Sequence, residues 1–303
     1  MAWSSASVVV NSGFNNDKPL FLVNKLNKYT IGQWTDDALN IIDNPFYSPN
    51  LAVNNYPAFV SKAENLGFTA YVQLEYYFAT GIDFDVVGFL HHNFMTFSNP
   101  RVQIVIADNA SFTSNLAIIF DSNPLLTSKR RISFLSTRYI NVQYIALRIT
   151  STELVTPGKN PFVGLFFVSD RFQMAMQPNE PYDPDKLITQ RQEYNSESGT
   201  TFMYKNATGL LQAEIEWYLG TDTNLVDVNQ LISLNNLYDA TDGFNQCFGW
   251  VPNPLSAPDR YFWVLETTKE FHKPYADGGI LIEYSMDLLE QAPSFRSDKI
   301  NLT

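Results

Sequence analysis

The stretch YVQLEYYF, residues 71–78, predicts the fold, because its apolar and polar residues alternate with period two. Val72 and Leu74 fall on one face of such a strand, and Gln73 and Glu75 fall on the other. A strand of this kind packs its apolar face against a core. The segment therefore predicts a β-strand in a layered, mainly β protein.

Further apolar strands follow in the first half of the chain, with Asn, Asp, Ser and Pro between them. The segments with this pattern are 101–109, 115–123, 144–150 and 161–170. The last of these is almost wholly apolar, which predicts a central strand. Many short strands separated by turn residues predict a β-sandwich or jelly roll.

A proline-rich segment, QPNEPYDPDK at 177–186, interrupts this pattern. Proline fixes φ and removes a backbone donor, so the segment cannot continue a sheet. We predict a domain boundary here. The first domain is a β-sandwich with an N-terminal arm, residues 1–180, and the second is a β-rich domain, residues 181–303.

The second domain is predicted to combine strands with one helix. The segment LLQAEIEWYLG, residues 210–220, alternates cleanly and predicts a strand. Residues 221–238 follow with apolar residues at helical spacing, namely Leu225, Val228, Leu231 and Ile232. Three later segments also predict strands, and these are 247–253, 260–266 and 278–290.

Composition narrows the classes of partner. The 303 residues carry a net charge of −11, and an acidic chain repels phosphate backbones, so nucleic acid is an unexpected partner. The sequence contains no apolar run of about 18 residues, which predicts no membrane insertion. Cys247 is the single cysteine, so no intrachain disulfide forms. Without a signal-peptide pattern, we expect synthesis in a cytoplasm.

Two adjacent histidines, His91 and His92, end the segment DFDVVGFLHHNF at 83–94. Neighbouring strand residues point to opposite faces, so the pair cannot chelate one metal in regular geometry. A structural role is favoured, and metal-ligand and acid–base roles stay open. Asp83 and Asp85 share a face and are expected to cap a solvated strand edge, with an acid–base pair or calcium ligands as alternatives.

Motifs of catalysis are missing from the sequence. It contains no nucleophile elbow, no HExxH zinc motif and no glycine-rich phosphate loop. Cys247 precedes an apolar segment and is expected to be a small buried hydrophobe rather than a nucleophile. The sequence thus predicts that the chain is not an enzyme and has no catalytic residue, cofactor or metal.

A segment rich in asparagine and aromatic residues, 47–70, precedes the strand at 71–78. Asparagine amides form hydrogen bonds with sugar hydroxyls, and aromatic rings stack on sugars, so a glycan contact is one interpretation. A protein contact is the other. The candidate contact residues are Tyr47, Asn50, Asn54, Asn55 and Tyr56.

Five segments of the first half come in the order SPNLAVNN, AYVQLEYYF, IDFDVVGFLHHNF, RVQIVIADNASF and QYIALRIT. This order resembles the discoidin-like, galactose-binding-like jelly rolls. With VGLFFVSDRFQMAMQPNEPYD, FGWVPNP and ILIEYSMDLLE, the chain from about residue 40 to 290 is similar to virion structural proteins of tailed bacteriophages. The doubled histidine, and the missing acidic residue after the proline of FGWVPNP, depart from that pattern.

This resemblance implies a structural turn at His92 and Asn93, whose side chains satisfy backbone groups at the strand end. It also implies a tail, baseplate or collar protein of the virion that forms a symmetric ring with its own copies and docks neighbouring tail proteins. The alternative is a glycan-binding module of a receptor-recognising fibre or spike that contacts a host-surface glycan. A third interpretation is a metal-dependent hydrolase that uses His91 or His92.

Overall fold

The computed structural model shows a chain that divides into two compact units. Unit 1 comprises residues 1–14 and 24–171, and unit 2 comprises residues 15–23 and 172–303. Residues 180–186, most of the predicted boundary segment, lie outside the described residues. The described residues are 8–10, 18–26, 31–53, 60–64, 67, 70–122, 130–179, 187–195, 201–220, 225–252, 262–266, 275–276 and 281–291.

The chain is mainly β, as predicted, and the strands within the described ranges form two sheets of eight strands each. The strands of the first sheet are β1 (Val8–Val10), β3 (Ile31–Asp36), β4 (Ser61–Lys62), β5 (Tyr71–His92), β6 (Arg101–Ala107), β7 (Ala117–Asp121), β8 (Arg130–Thr150) and β9 (Phe162–Ser169). The strands of the second sheet are β2 (Leu20–Leu22), β10 (Arg171–Gln173), β11 (Leu187–Asn195), β12 (Thr201–Gly220), β13 (Phe248–Val251), β14 (Phe262–Glu266), β15 (Tyr275–Ala276) and β16 (Leu281–Glu290). Among the described residues, the helices are α1 (Leu225–Ala240) and the short 3₁₀ turns Pro49–Val53, Phe94–Thr96 and Thr152–Val155.

Two long antiparallel strands, β5 and β8, organise unit 1 because each of them runs through both halves of the sheet. Residues 71–77 of β5 pair with residues 144–150 of β8, and this part joins β3, β6 and β7. We call it the first leaf. Residues 82–90 of β5 pair with residues 130–142 of β8, and this part joins β1, β4 and β9 as the second leaf.

The apolar faces of the two leaves form one core. Leu74 and Leu147 of the first leaf belong to the same buried cluster as Phe89 and Phe166 of the second. Strand β9 lies between β4 and β5 and is buried along its whole length, as expected for the apolar segment 161–170. Burial of such side chains contributes about 1.5–3 kcal/mol each, so this shared core is the main force that holds the leaves together.

The two long strands bend at the same place, between the leaves. The β5–β8 register shifts between Tyr77 and Ile82, and Gly81 and Asn141 lie in the left-handed region with φ of +66° and +57°. Asparagine tolerates this region better than other side chains, and glycine adopts it freely. The backbone N–H of Asn141 donates to Oδ1 of Asp83 at 2.8 Å, which fixes the bend across the strand pair.

Asp83 and Asp85 therefore do not cap a solvated edge at a strand start, because β5 continues through both of them. The carboxylate of Asp85 is buried and accepts from Nε of Arg171 at 3.0 Å. Nη2 of Arg171 donates to the carbonyl oxygen of Leu135 at 3.0 Å. A buried carboxylate needs such a partner, so these residues have a structural role beside the bend.

Unit 2 is built on β12 and β16, which pair from Gln212 with Leu289 to Gly220 with Leu281. Ile215 and Trp217 of β12 are buried in the core of this unit, whereas Glu214 is exposed, as the alternation at 210–220 predicts. Cys247 is buried, which agrees with the expected small hydrophobe.

Helix α1 confirms the predicted helix, but only part of the predicted apolar set faces the core. Leu231 packs against the core that contains Leu234 and Leu237. Val228 and Ile232, by contrast, are 43% and 50% exposed. The reason is Gln230, whose Oε1 accepts from the backbone N–H groups of residues 175 and 176 at 2.7 and 3.1 Å. These bonds turn the polar Gln230 inward. Among the described helices, none is long and apolar enough to cross a membrane.

The bend gives a stability prediction. A Cβ at Gly81 would overlap Oδ1 of Asn141 and come within 3.0 Å of its carbonyl carbon, whereas a Cβ at Gly158 meets nothing within 4 Å. Both glycines have positive φ. We expect Gly158→Ala to cost about 1–2 kcal/mol from backbone strain. Gly81→Ala should cost about 1–3 kcal/mol more from the overlap. Denaturant unfolding of both variants measures this, and equal losses would show that the overlap with Asn141 adds no cost to the backbone strain.

Candidate functional site

His91 and His92 are both buried at the end of β5. Nδ1 of His92 accepts from the backbone N–H of Phe94 at 3.1 Å, and its ring stacks on the Phe94 ring at 4.5 Å. His91 has a φ of +55°, and its ring meets the edge of Phe162. Asn93 bridges two segments, because its Nδ2 donates to the carbonyl of Asn160 and its Oδ1 accepts from the N–H of Phe162.

The predicted contact segment 47–60 is described only in part. The ring of Tyr47 lies under the ammonium group of Lys62, 5.6 Å from its centroid, and Asn50 is exposed. Asn54, Asn55 and Tyr56 lie outside the described residues. The interpretation of this segment as a glycan or protein contact stays a prediction.

In the part of the chain that the structure describes, no three His, Cys, Asp or Glu side chains are placed to hold a metal ion. His272, the third histidine, is outside that part. The hydrolase interpretation therefore gains no supporting geometry from His91 and His92.

A row of polar side chains crosses the outer face of the first leaf, and it is the feature that sequence reasoning missed. One residue from each of five neighbouring strands lies in register. The row, in spatial order, is Thr35, Gln73, Arg148, Gln103 and Asp121. We call the outer surface that carries this row the polar face. Thr35, Gln73 and Gln103 are buried, whereas Arg148 is half-buried and Asp121 is exposed. The row therefore combines buried polar side chains with polar side chains that a ligand can reach.

Arg148 is the centre of the polar face. Its Nε and Nη2 donate to Oε1 of Gln73 at 3.1 and 2.9 Å, and its guanidinium lies 4.2 Å from the ring centroid of Tyr71. Partial burial lowers the pKa of Arg148, although a guanidinium stays charged throughout the ordinary pH range. Nη1 of Arg148 has no acceptor among the described residues. The side chain is therefore fixed by Gln73 and still has donors for a ligand.

The buried carboxylate of Glu75 lies next to the row, on the same side of β5 as Gln73. Its Oε1 accepts from Nε2 of Gln33 at 2.5 Å, and its Oε2 accepts from Nε2 of Gln73 at 3.3 Å. Burial raises the pKa of Glu75, and these hydrogen bonds and the charge of Arg148 partly oppose the rise. Gln33 is half-buried, and its Oε1 accepts from no described residue, so it presents an oriented acceptor.

Asp121 closes the row at the edge strand β7. Nε and Nη2 of Arg101 donate to the two oxygens of its carboxylate at 3.1 and 2.5 Å, which is a two-bond fork. Nε2 of the buried Gln103 donates to Oδ2 of the same carboxylate at 3.0 Å. As with Arg148, a buried amide beneath the surface holds an accessible charged group in one position.

Aromatic side chains border the polar face. Tyr77 is 37% exposed and packs on Tyr144 with 4.9 Å between ring centroids. Phe112, from the loop at 108–116, covers the small residues Val105 and Ala146 and meets the edge of Tyr144. This loop forms a wall along one side of the face, and hydrogen bonds from the backbone N–H groups of residues 113 and 114 to Oδ1 of Asn109 hold it together.

The comparisons with known proteins concern structure alone, since no protein-family model and no curated protein matches the sequence. A chitosan-binding module from Paenibacillus sp. IK-5 aligns with a TM-score of 0.36, 10% identity, 48% of this chain and 97% of that one. The family 32 carbohydrate-binding module of Clostridium perfringens NanJ, solved with galactose, gives 0.35 and 9% over 49% and 98%. An F5/8 type C domain from Bacteroides fragilis gives 0.34 and 8% over 50% and 97%.

These structural neighbours are two carbohydrate-binding modules and an F5/8 type C domain, and each of them covers about half of this chain. The predicted mainly β fold with sandwich sheets is confirmed. The resemblance to phage virion proteins stays a prediction.

The polar face gives a prediction about pH. Because the pKa of Glu75 in the folded chain lies above its ordinary 4.5, its contribution to stability is fully present below that value and is lost as the pH rises through the raised pKa. The free energy of unfolding of the wild type, minus that of Glu75→Gln, should therefore increase as the pH falls from neutral. Denaturant titrations at several pH values test this, and a difference that is flat or falls with acidification would contradict it.

Proposed function

We propose that unit 1 binds carbohydrate on the polar face. The observation that carries the proposal is the support of accessible polar groups by buried ones. Gln73 holds Arg148, Glu75 holds Gln33, and Gln103 holds the carboxylate that Arg101 also contacts. Groups fixed in this way lose little side-chain entropy when a ligand binds.

The chemistry of the accessible groups fits a ligand with many hydroxyls. A hydroxyl both donates and accepts, so it pairs with an acceptor such as Oε1 of Gln33 and with a donor such as Nη1 of Arg148. The rings of Tyr71 and Tyr77 offer apolar surfaces for the C–H face of a sugar ring. A peptide bound by strand addition would instead use backbone groups at a sheet edge.

The virion role remains a separate prediction. Ring assembly, docking to tail proteins and location in the tail are the parts of it that cryo-electron microscopy of an intact particle would test. A glycan-binding module of a receptor-recognising fibre or spike is compatible with both the polar face and a virion. That the chain is not an enzyme, and that it takes no cofactor, also stay predictions.

Binding is tested with a glycan array, followed by calorimetry on the sugars that bind. Tyr71→Ala should weaken that binding by about tenfold, or roughly 1.4 kcal/mol, because it removes a sugar platform and the ring that supports Arg148. The thermal melt of the variant shows whether it is folded.

Tyr47→Ala is the matched control. Tyr47 is also a half-buried tyrosine beneath a cation, but it belongs to the predicted contact segment rather than to the polar face. We expect the Tyr47→Ala variant to bind the sugar as tightly as the wild type does. Loss of binding in Tyr47→Ala together with full binding in Tyr71→Ala would move the site to the segment 47–60. An array without any bound glycan would refute the proposal.

A further inference from the structure

The polar face is long in one direction. Five strands lie side by side from β3 to β7, and neighbouring strands are about 4.8 Å apart, so the row from Thr35 to Asp121 spans about 19 Å. A single sugar ring covers only about one strand spacing of such a row. Most of the row would remain empty if the ligand were one terminal sugar.

The wall determines the direction in which a long ligand can lie. Phe112 covers Val105 and Ala146, so the face is closed along β6 and β8 beyond these residues. Gln33 on β3 lies in the same cross-strand row as these covered residues, and Arg148 and Arg101 lie in the next two rows away from the wall. All three are half-buried or exposed, on three different strands. A ligand that reaches all three must run across the strands, beside the wall.

The charges of the face are balanced. Asp121 forms an ion pair with Arg101. The carboxylate of Glu75 attracts the guanidinium of Arg148, and this attraction is one of the effects that oppose the rise in the pKa of Glu75. These two cations and two carboxylates, all from described residues, leave this strip of the polar face along the row with no net charge to match an acidic or an amino sugar. Neutral hydroxyls satisfy the remaining donors and acceptors without leaving a buried charge unpaired.

From this geometry, and on the basis of the proposed carbohydrate binding, we infer that the ligand is an extended, neutral polysaccharide that lies across the strands of the first leaf. The length of one sugar unit in an extended β-1,4-linked chain is close to the spacing between neighbouring strands. Successive units can therefore meet equivalent positions on successive strands. The row accommodates about four units, one for each step between its five strands.

The two ends of the strip differ from its centre in what they contribute. Arg148 and Tyr71 at the centre contact any short oligomer. Gln33 on β3, and the guanidinium of Arg101 against Asp121 on β7, are reached only by a longer one. Affinity should therefore rise with chain length and then level off.

The test is calorimetry of the full chain with neutral β-1,4-linked oligomers of glucose, mannose and xylose, from the disaccharide to the hexasaccharide. In the series that binds, each added unit should raise the affinity about three- to tenfold up to the tetrasaccharide, and little beyond it. Malto-oligosaccharides, whose α-1,4 links make a curved chain, are the control for shape and should bind more weakly. Oligogalacturonates are the control for charge.

The substitution Arg101→Ala distinguishes binding at the end of the row from binding at its centre. It removes an exposed side chain and leaves Asp121 hydrogen-bonded to Gln103, so the fold should be kept. We expect tetrasaccharide affinity to fall about three- to tenfold, with disaccharide affinity unchanged. Lys62→Ala, which removes a cation from the second leaf, should change neither affinity.

The outcomes distinguish the two claims. A disaccharide that binds as tightly as the tetrasaccharide, or tighter binding of malto-oligosaccharides or oligogalacturonates, would overturn the extended neutral polysaccharide and leave carbohydrate binding intact. If neither these oligomers nor any glycan on the array binds, both claims are wrong.

Discussion

The concerted bend of β5 and β8 is the constraint on which the rest of unit 1 depends. Gly81 and Asn141 adopt left-handed backbone conformations where the register shifts, and the carboxylate of Asp83 joins the two strands there. Because both strands bend together, each of them serves both leaves, and the apolar sides of the leaves can share one core. A strand pair that ran straight would carry its second half away from that core.

The same strand pairing creates the polar face on the opposite side of the first leaf. The register that places Leu74 beside Leu147 in the core also places Gln73 beside Arg148 on the outer surface. A shift of one residue would exchange the two faces, so the core fixes the alignment of the polar row. The buried amides then hold the accessible charged groups, which makes the face rigid before any ligand arrives.

The sequence predicted the secondary-structure elements better than the pairing and packing between them. Alternation at 71–78 identifies the strand and its apolar face, and the all-β character follows from many such segments. Alternation also places Gln73 and Glu75 opposite the core, but their burial depends on Arg148 and Gln33, which are distant in sequence. Register between distant strands is set by tertiary packing, so no local pattern reveals the row. Helix α1 shows that local spacing also does not determine which side of a helix is buried. Gln230 is buried because its side chain accepts hydrogen bonds from two backbone N–H groups that are distant in sequence.

The central claim is that the polar face, aligned by the bend, is where the ligand binds. Hydroxyl-radical footprinting of the chain, with and without the tightest-binding oligosaccharide, tests it directly. The account predicts that the ligand protects Tyr71 from oxidation and leaves Tyr47 as reactive as in the free chain. Protection of Tyr47, with Tyr71 unchanged, would contradict it.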